Sequence, residues 1–137
     1  MNSETSTTTT ITLPPEIFDS LPVFDHEKLD SYQVALDLVV LIDQVVEHLP
    51  KGRGHLADQL HRAGISVPLN IAEGAGEYSG NEKGRFYRMA KRSATECAAI
   101  FEICKRLNLI NEIQYIQGRG LLIRIVSMLI KMAQISN

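Results

Sequence analysis

The chain has 137 residues, only 6% of them aromatic and none Trp, with a net charge of −2. Such a length is one domain with a modest core, which here must be built from aliphatics. No apolar run reaches membrane-spanning length, and the N-terminus lacks the basic-then-apolar order of a signal peptide. Cys97 and Cys104 lie seven apart on one predicted helix, too far to bridge each other, so they read as buried thiols of a cytoplasmic protein.

The small net charge hides a split. Residues 1–50 hold one basic and nine acidic residues, whereas residues 51–137 hold thirteen basic and seven acidic. One reading is a basic surface on the later helices, with nucleic acid as its partner. The other is that the two halves neutralise one another within the fold or between subunits.

In chain order, residues 1–22 read as a disordered polar tail. The run is Thr-rich without helical period, and Pro14, Pro15 and Pro22 discourage regular structure. The bundle domain is expected over 23–137. Its first helix is predicted from about His26 to Leu49, with Asp25 as N-cap. Two apolar lines run along it. One is Tyr32, Leu36, Val39, Ile42, Val46 and Leu49; the other is Val34, Leu38, Leu41 and Val45. Pro50, Gly52 and Gly54 end it.

The second helix is predicted from about His55 to Gly76. Leu56, Leu60, Ala63, Val67, Asn70 and Gly74 recur at steps of four and three, which places them on one side of a helix. Ile65, Leu69 and Ala72 fall on the opposite side. Pro68 removes a backbone donor inside the pattern and predicts a kink, with Gly64 beside it to absorb the bend.

The run Arg62-Ala63, Val67-Pro68, Asn70-Ile71-Ala72-Glu73-Gly74 resembles the signature of the bacterial four helix bundle family. That family includes proteins encoded in intervening sequences of 23S rRNA genes and the accessory variability determinant of diversity-generating retroelements. A second block, Arg85-Phe86-Tyr87 followed by Ser93 and Glu96, resembles the same family. The likeness covers about residues 24–135. It implies a homopentamer, barrel-like with a central opening, and for some members a reverse transcriptase partner.

The third helix is predicted from Asn81, as cap, to about Leu107. Its core line is Phe86, Ala90, Ser93, Cys97, Ile100, Cys104 and Leu107. On its far side Arg85, Arg88, Arg92 and Arg106 form a stripe flanked by Lys91 and Lys105. A short link, Asn108 to Asn111, leads to a fourth helix with Asn111 at its cap and Leu122, Val126, Leu129 and Ala133 inward. Gly118 and Gly120 weaken its first half. The whole predicts an all-α, up-down-up-down antiparallel four-helix bundle, with the second helix kinked at its proline.

Two apolar lines on one helix exceed what a single bundle uses. Val34, Leu38, Leu41 and Val45, with Ile65, Leu69 and Ala72, are therefore expected to bury against other subunits of a homo-oligomer. Arg62, Asn70, Glu73, Ser93 and Glu96 read as a structural polar network fixing helix register; the functional alternative is a small polar pocket. The basic stripe is the candidate binding surface for RNA or DNA: Arg85, Arg88, Lys91, Arg92 and Arg106, extended by Arg124. Its competing reading is a solvated face.

Catalytic chemistry finds no constellation. Residues three after Glu73, Glu96 and Glu102 are Gly76, Ala99 and Lys105, so the Glu-x-x-His pairs of di-iron bundles do not occur. The four histidines are not spaced as metal ligands, and Gly74-Ala75-Gly76 follows a helix, not the strand of a P-loop. No metal, cofactor or small-molecule substrate is expected. The reading is a non-enzymatic, oligomeric RNA-binding adaptor, with a protein-only scaffold as its rival.

Overall fold

The computed structural model describes residues 10–136, apart from the Phe18 side chain; the expectation for residues 1–9 lies outside the described residues. Four long helices carry the fold: α2 (Asp30–Glu47), α3 (Gly54–Ala75), α4 (Gly80–Arg106) and α5 (Glu112–Ser136). Each packs on its neighbours in the order α2, α3, α4, α5 and back to α2, with no diagonal contact among the described elements. With short links throughout, this is the expected antiparallel four-helix bundle.

Ahead of it, Pro15–Ser20 form a short helix, α1, which touches none of the other described elements. Prolines were expected to keep this stretch irregular. Pro15 instead takes the first helical position, where a missing N–H costs nothing. Asp25–Lys28 form a 3-10 turn, closed by the Glu27 carboxylate accepting from the Phe24 N–H at 2.7 Å. The first long helix therefore starts later than expected, after Leu29 rather than after Asp25.

The core of α2 corrects the sequence reading. Val34, Leu38, Leu41 and Val45 are buried in the chain's own core, together with Ala35 and Ile42. They are not surplus and are withdrawn from the oligomer interface. The line through Leu36 and Val39 points partly outward, and Leu36 and Val40 are exposed. Equal spacing made the two lines indistinguishable. The polar stripe Gln33, Asp37, Gln44 and Glu47 decides between them, because it lies opposite Leu38 and Ile42 on a helical projection.

On α3 Leu56, Leu60, Ala63 and Val67 are buried and Ile65 and Leu69 exposed, as the spacing predicts, whereas Ala72 is half-buried. Pro68 is buried inside a helix that continues past it, leaving the Gly64 carbonyl without its partner four residues on. Gly64 has a second role. A Cβ there would meet Ile42 Cδ1 at 2.5 Å, so the bare backbone lets α2 close on α3. Gly118 does the same on α5, which runs unbroken through it. A Cβ at Gly118 would lie 3.0 Å from the ring of Phe101, the largest fully buried side chain.

The inward side of α4 is Tyr87, Ala90, Ala94, Cys97, Phe101 and Cys104. Compared with expectation it is rotated away from Phe86, Ser93 and Leu107, and Leu107 is exposed. Ser79, not Asn81, caps this helix: its hydroxyl accepts from the Glu82 N–H at 3.1 Å. The exit is a Schellman turn. Asn108 sits at φ 60°, its N–H reaches the Lys105 carbonyl at 3.0 Å, and the Leu109 N–H reaches Cys104 at 2.8 Å. Asn111 caps α5 as expected, Oδ1 accepting from the Gln114 N–H at 2.7 Å.

Candidate nucleic-acid interface

The charge split of the sequence becomes a split across the bundle. Asp30–Glu47 hold four acids and no base, whereas Gly80–Arg106 hold seven bases and three acids. These helices, α2 and α4, are not neighbours, so the acidic and basic faces do not neutralise each other inside one copy.

The outward face of α4 does not use its cations equally. Arg85 is engaged: Nε donates to both Glu82 oxygens at 3.2 Å, Nη2 donates at 3.0 Å, and the guanidinium sits 4.6 Å over the Phe86 ring. Its hydrogen bond holds the Glu82 carboxyl below its ordinary pKa and raises that of Arg85. Arg88 and Lys91 border the groove between α4 and α5, beside Ile130 and Gln134. Arg92 borders the groove between α3 and α4. Among the described residues, none of the ion pairs involves these three. Spaced three and one apart, they form a compact cationic cluster.

Arg106 and Arg124 do not join it. Arg106 lies fourteen residues beyond Arg92, about 21 Å along the helix. It borders a hollow with Glu102, Lys105, Asn108 and Tyr115, where Lys105 covers the Tyr115 ring at 4.3 Å. Arg124 opens on the groove between α2 and α5, beside Asp37 and Gln44. Of six predicted contacts, three form a patch; helical projection alone hid that α5 turns Arg124 toward α2.

Of the five residues of the predicted polar network, only Asn70 and Ser93 form side-chain hydrogen bonds among the described residues, and both through Ser66. Ser93 Oγ donates to Ser66 Oγ at 2.8 Å, bridging α4 to α3. Asn70 does not cross the helices. Its Nδ2 donates to Ser66 Oγ at 2.9 Å and to the Ser66 carbonyl at 2.8 Å, within α3. Ser66 was missed, although it lies four residues before Asn70 on the same side. Arg62, Glu73 and Glu96 line the flanking grooves but take part in none of the ion pairs among the described residues. Lys83 was missed too: Nζ donates to the Gly74 and Ala75 carbonyls at 3.3 and 2.9 Å, capping the negative end of α3.

Packing accounts for the apolar and small residues of the signature run, though not for Arg62 and Glu73, which are exposed. Ile71 is fully buried, Asn70 holds Ser66, and Gly74 leaves room for the Tyr87 ring, which a Cβ would meet at 2.7 Å. Chemistry is correspondingly sparse. Burial pushes the Cys97 thiol up to about 12, with Glu96 adding to the shift, and burial raises Cys104 as well. Both are inert packing thiols at neutral pH. No group of His, Cys, Asp or Glu among the described residues is arranged to hold a metal, and no described helix is long and apolar enough to cross a membrane.

A family profile described as "23S rRNA-intervening sequence protein" matches residues 27–131. The chain belongs to the 23S rRNA-intervening sequence protein family. A comparison with curated proteins finds no match. Among solved structures, the chain is similar to a protein of unknown function from the S23 ribosomal protein family of Bacteroides thetaiotaomicron. Identity is 22%, the match covers 75% of this chain and 97% of that one, and the TM-score is 0.70. At that identity the likeness shows the shared fold. The family match begins inside the 3-10 turn and ends inside α5, so it takes in α2, α3 and α4 whole and α5 as far as Lys131.

Proposed function

We propose that this 23S rRNA-intervening sequence family protein is a non-enzymatic adaptor that assembles as a homopentamer and holds RNA on the outward face of α4, within a ribonucleoprotein or alongside a reverse transcriptase. The observation that carries the reading is the cluster Arg88, Lys91 and Arg92, exposed or half-buried and outside every ion pair among the described residues. Guanidinium groups pair with phosphates bidentately, and a short row contacts a backbone without reading bases. Repetition around an oligomer turns three modest contacts into an avid surface. Exposed aromatics for base stacking are few, so binding is expected to be electrostatic and tolerant of sequence.

The test is a salt titration of labelled RNA binding. Each lost phosphate contact lowers the slope of log affinity against log salt by about 0.7 for a single strand. Replacing Arg88, Lys91 and Arg92 by Ala lowers that slope by about 2, while Arg85→Ala, already tied to Glu82, changes it less. RNA binding that is absent at low salt, or equal in the triple variant, overturns the reading. It would leave the rival, a protein-only oligomeric scaffold, which the exposed isoleucines of α5 favour.

A further inference from the structure

α5 carries apolar residues on two sides. Inward, Leu122, Ile125 and Leu129 complete the core. Outward, Ile113 is 70% exposed, Ile116 59%, Ile123 55% and Ile130 41%. With Gly120 and Ser127 between them, these residues alternate steps of three and four. That is the seam by which one helix packs along another. It spans seventeen steps, about 26 Å. A Cβ at Gly120 would meet nothing within 4 Å, so a partner backbone can approach closely there.

Charge identifies the partner helix. Arg124 and Lys131 each follow a seam isoleucine and edge the seam on one side. Arg119, on the other edge, pairs with Glu102 at 3.6 Å. A second α5 laid on this seam would bring like charges together, and RNA has no use for four isoleucines. The α1 helix is acidic but only six residues long. The outward face of α2 has what is needed. The helix is eighteen residues long with four acids and no base; Asp43 turns to His61 of α3 and Asp37 also borders its own copy's Arg124, while Leu36, Val40, Asp37 and Glu47 are exposed.

We infer that the isoleucine seam of α5 in one copy packs on the outward face of α2 in a second copy, with Arg124 and Lys131 set against Asp37 and Glu47. The inference rests on the self-assembly part of the proposed function and names the surfaces that carry it. Every copy offers both faces, so one kind of contact joins successive copies. The contact uses none of Arg88, Lys91 and Arg92.

The test is charge reversal read by light-scattering mass on the full chain. Wild type assembles above its 15.3 kDa protomer mass at micromolar concentration. Arg124→Glu with Lys131→Glu, and separately Asp37→Lys with Glu47→Lys, each weakens association about tenfold or more. Combining all four substitutions in one chain restores assembly. Ile116→Ser with Ile123→Ser, which adds no charge, dissociates it as well; all these sites are exposed, so circular dichroism stays helical. A monomeric wild type overturns both this contact and the assembly reading. An assembled wild type whose mass neither reversal nor the serine pair alters overturns the contact alone, and the assembly reading then stands on another face.

Discussion

The seat of Phe101 on Gly118 gives the sharpest test of the packing. Phe101 is 1% exposed, and a Cβ at Gly118 would stand 3.0, 3.1 and 3.2 Å from three of its ring carbons. Two effects oppose each other in Gly118→Ala. Helix propensity favours Ala over Gly by about 1 kcal/mol. Crowding a well-packed core costs about 1–3 kcal/mol, and this ring lies fully buried within the core cluster. The net expectation is a loss of up to about 2 kcal/mol. Phe101→Leu alone costs roughly 1–2 kcal/mol through lost burial and a small cavity. In the double variant the added methyl enters the space the ring has left. The two losses therefore do not sum, and the cycle shows a favourable coupling of about 1 kcal/mol or more. Urea unfolding followed by circular dichroism measures all four corners. If Gly118→Ala stabilises by its full propensity gain, or if the double variant is additive within about 0.5 kcal/mol, α5 does not sit on Phe101 as described.

Three further outcomes follow from single residues. Burial pushes Cys97 up to about 12 from an ordinary 9.0, and Cys104 and Tyr87 shift the same way. A folded pKa above the unfolded one gives stability that is complete below the unfolded value and lost as pH climbs toward the folded one. The urea midpoint is thus flat near neutrality and falls above pH 9, and Cys97→Ala makes that fall shallower. Ser79→Ala removes the acceptor for the Glu82 N–H and lowers stability by about 1 kcal/mol, read from the same unfolding curves. Asn108→Gly at φ 60° is neutral or stabilising, whereas Asn108→Val, β-branched in a left-handed position, costs about 1–2 kcal/mol and lowers the melting temperature.

Helical period was enough to find four helices, their antiparallel order and the cap at Asn111, because those follow from local spacing and short links. It was not enough to say which side of a helix faces in. A period fixes angles between residues on one helix; only the neighbours fix its rotation. On α2 that left Val34 and Leu38 competing with Leu36 and Val39, and the polar stripe through Asp37 and Gln44 was the unused arbiter. On α4 the rotation moved the core from Phe86 to Tyr87, which is why Gly74 matters: the ring it admits is Tyr87. Long-range contacts also explain the glycines. Locally Gly118 reads as a weakness, and only Phe101, seventeen residues earlier, shows what the missing side chain is for.

The same logic moves the surplus apolar surface from where spacing placed it. Once Val34, Leu38, Leu41 and Val45 belong to the core, an assembly argument resting on them fails. Ile65 and Leu69 survive as exposed residues, but they share their side of α3 with Arg62, Asn70 and Glu73. α5 reads inward through Leu122, Ile125 and Leu129, and its outer isoleucines become meaningful only after that inner side is fixed. A helix apolar on both sides is either interior or covered. α5 stands at a corner of the ring of helices and, among the described elements, contacts α4 and α2 only, so its outer isoleucines are left uncovered by them. In the contact inferred between copies, the basic edge of that seam would meet the acidic side of α2, and the cationic cluster of α4 would stay outside it.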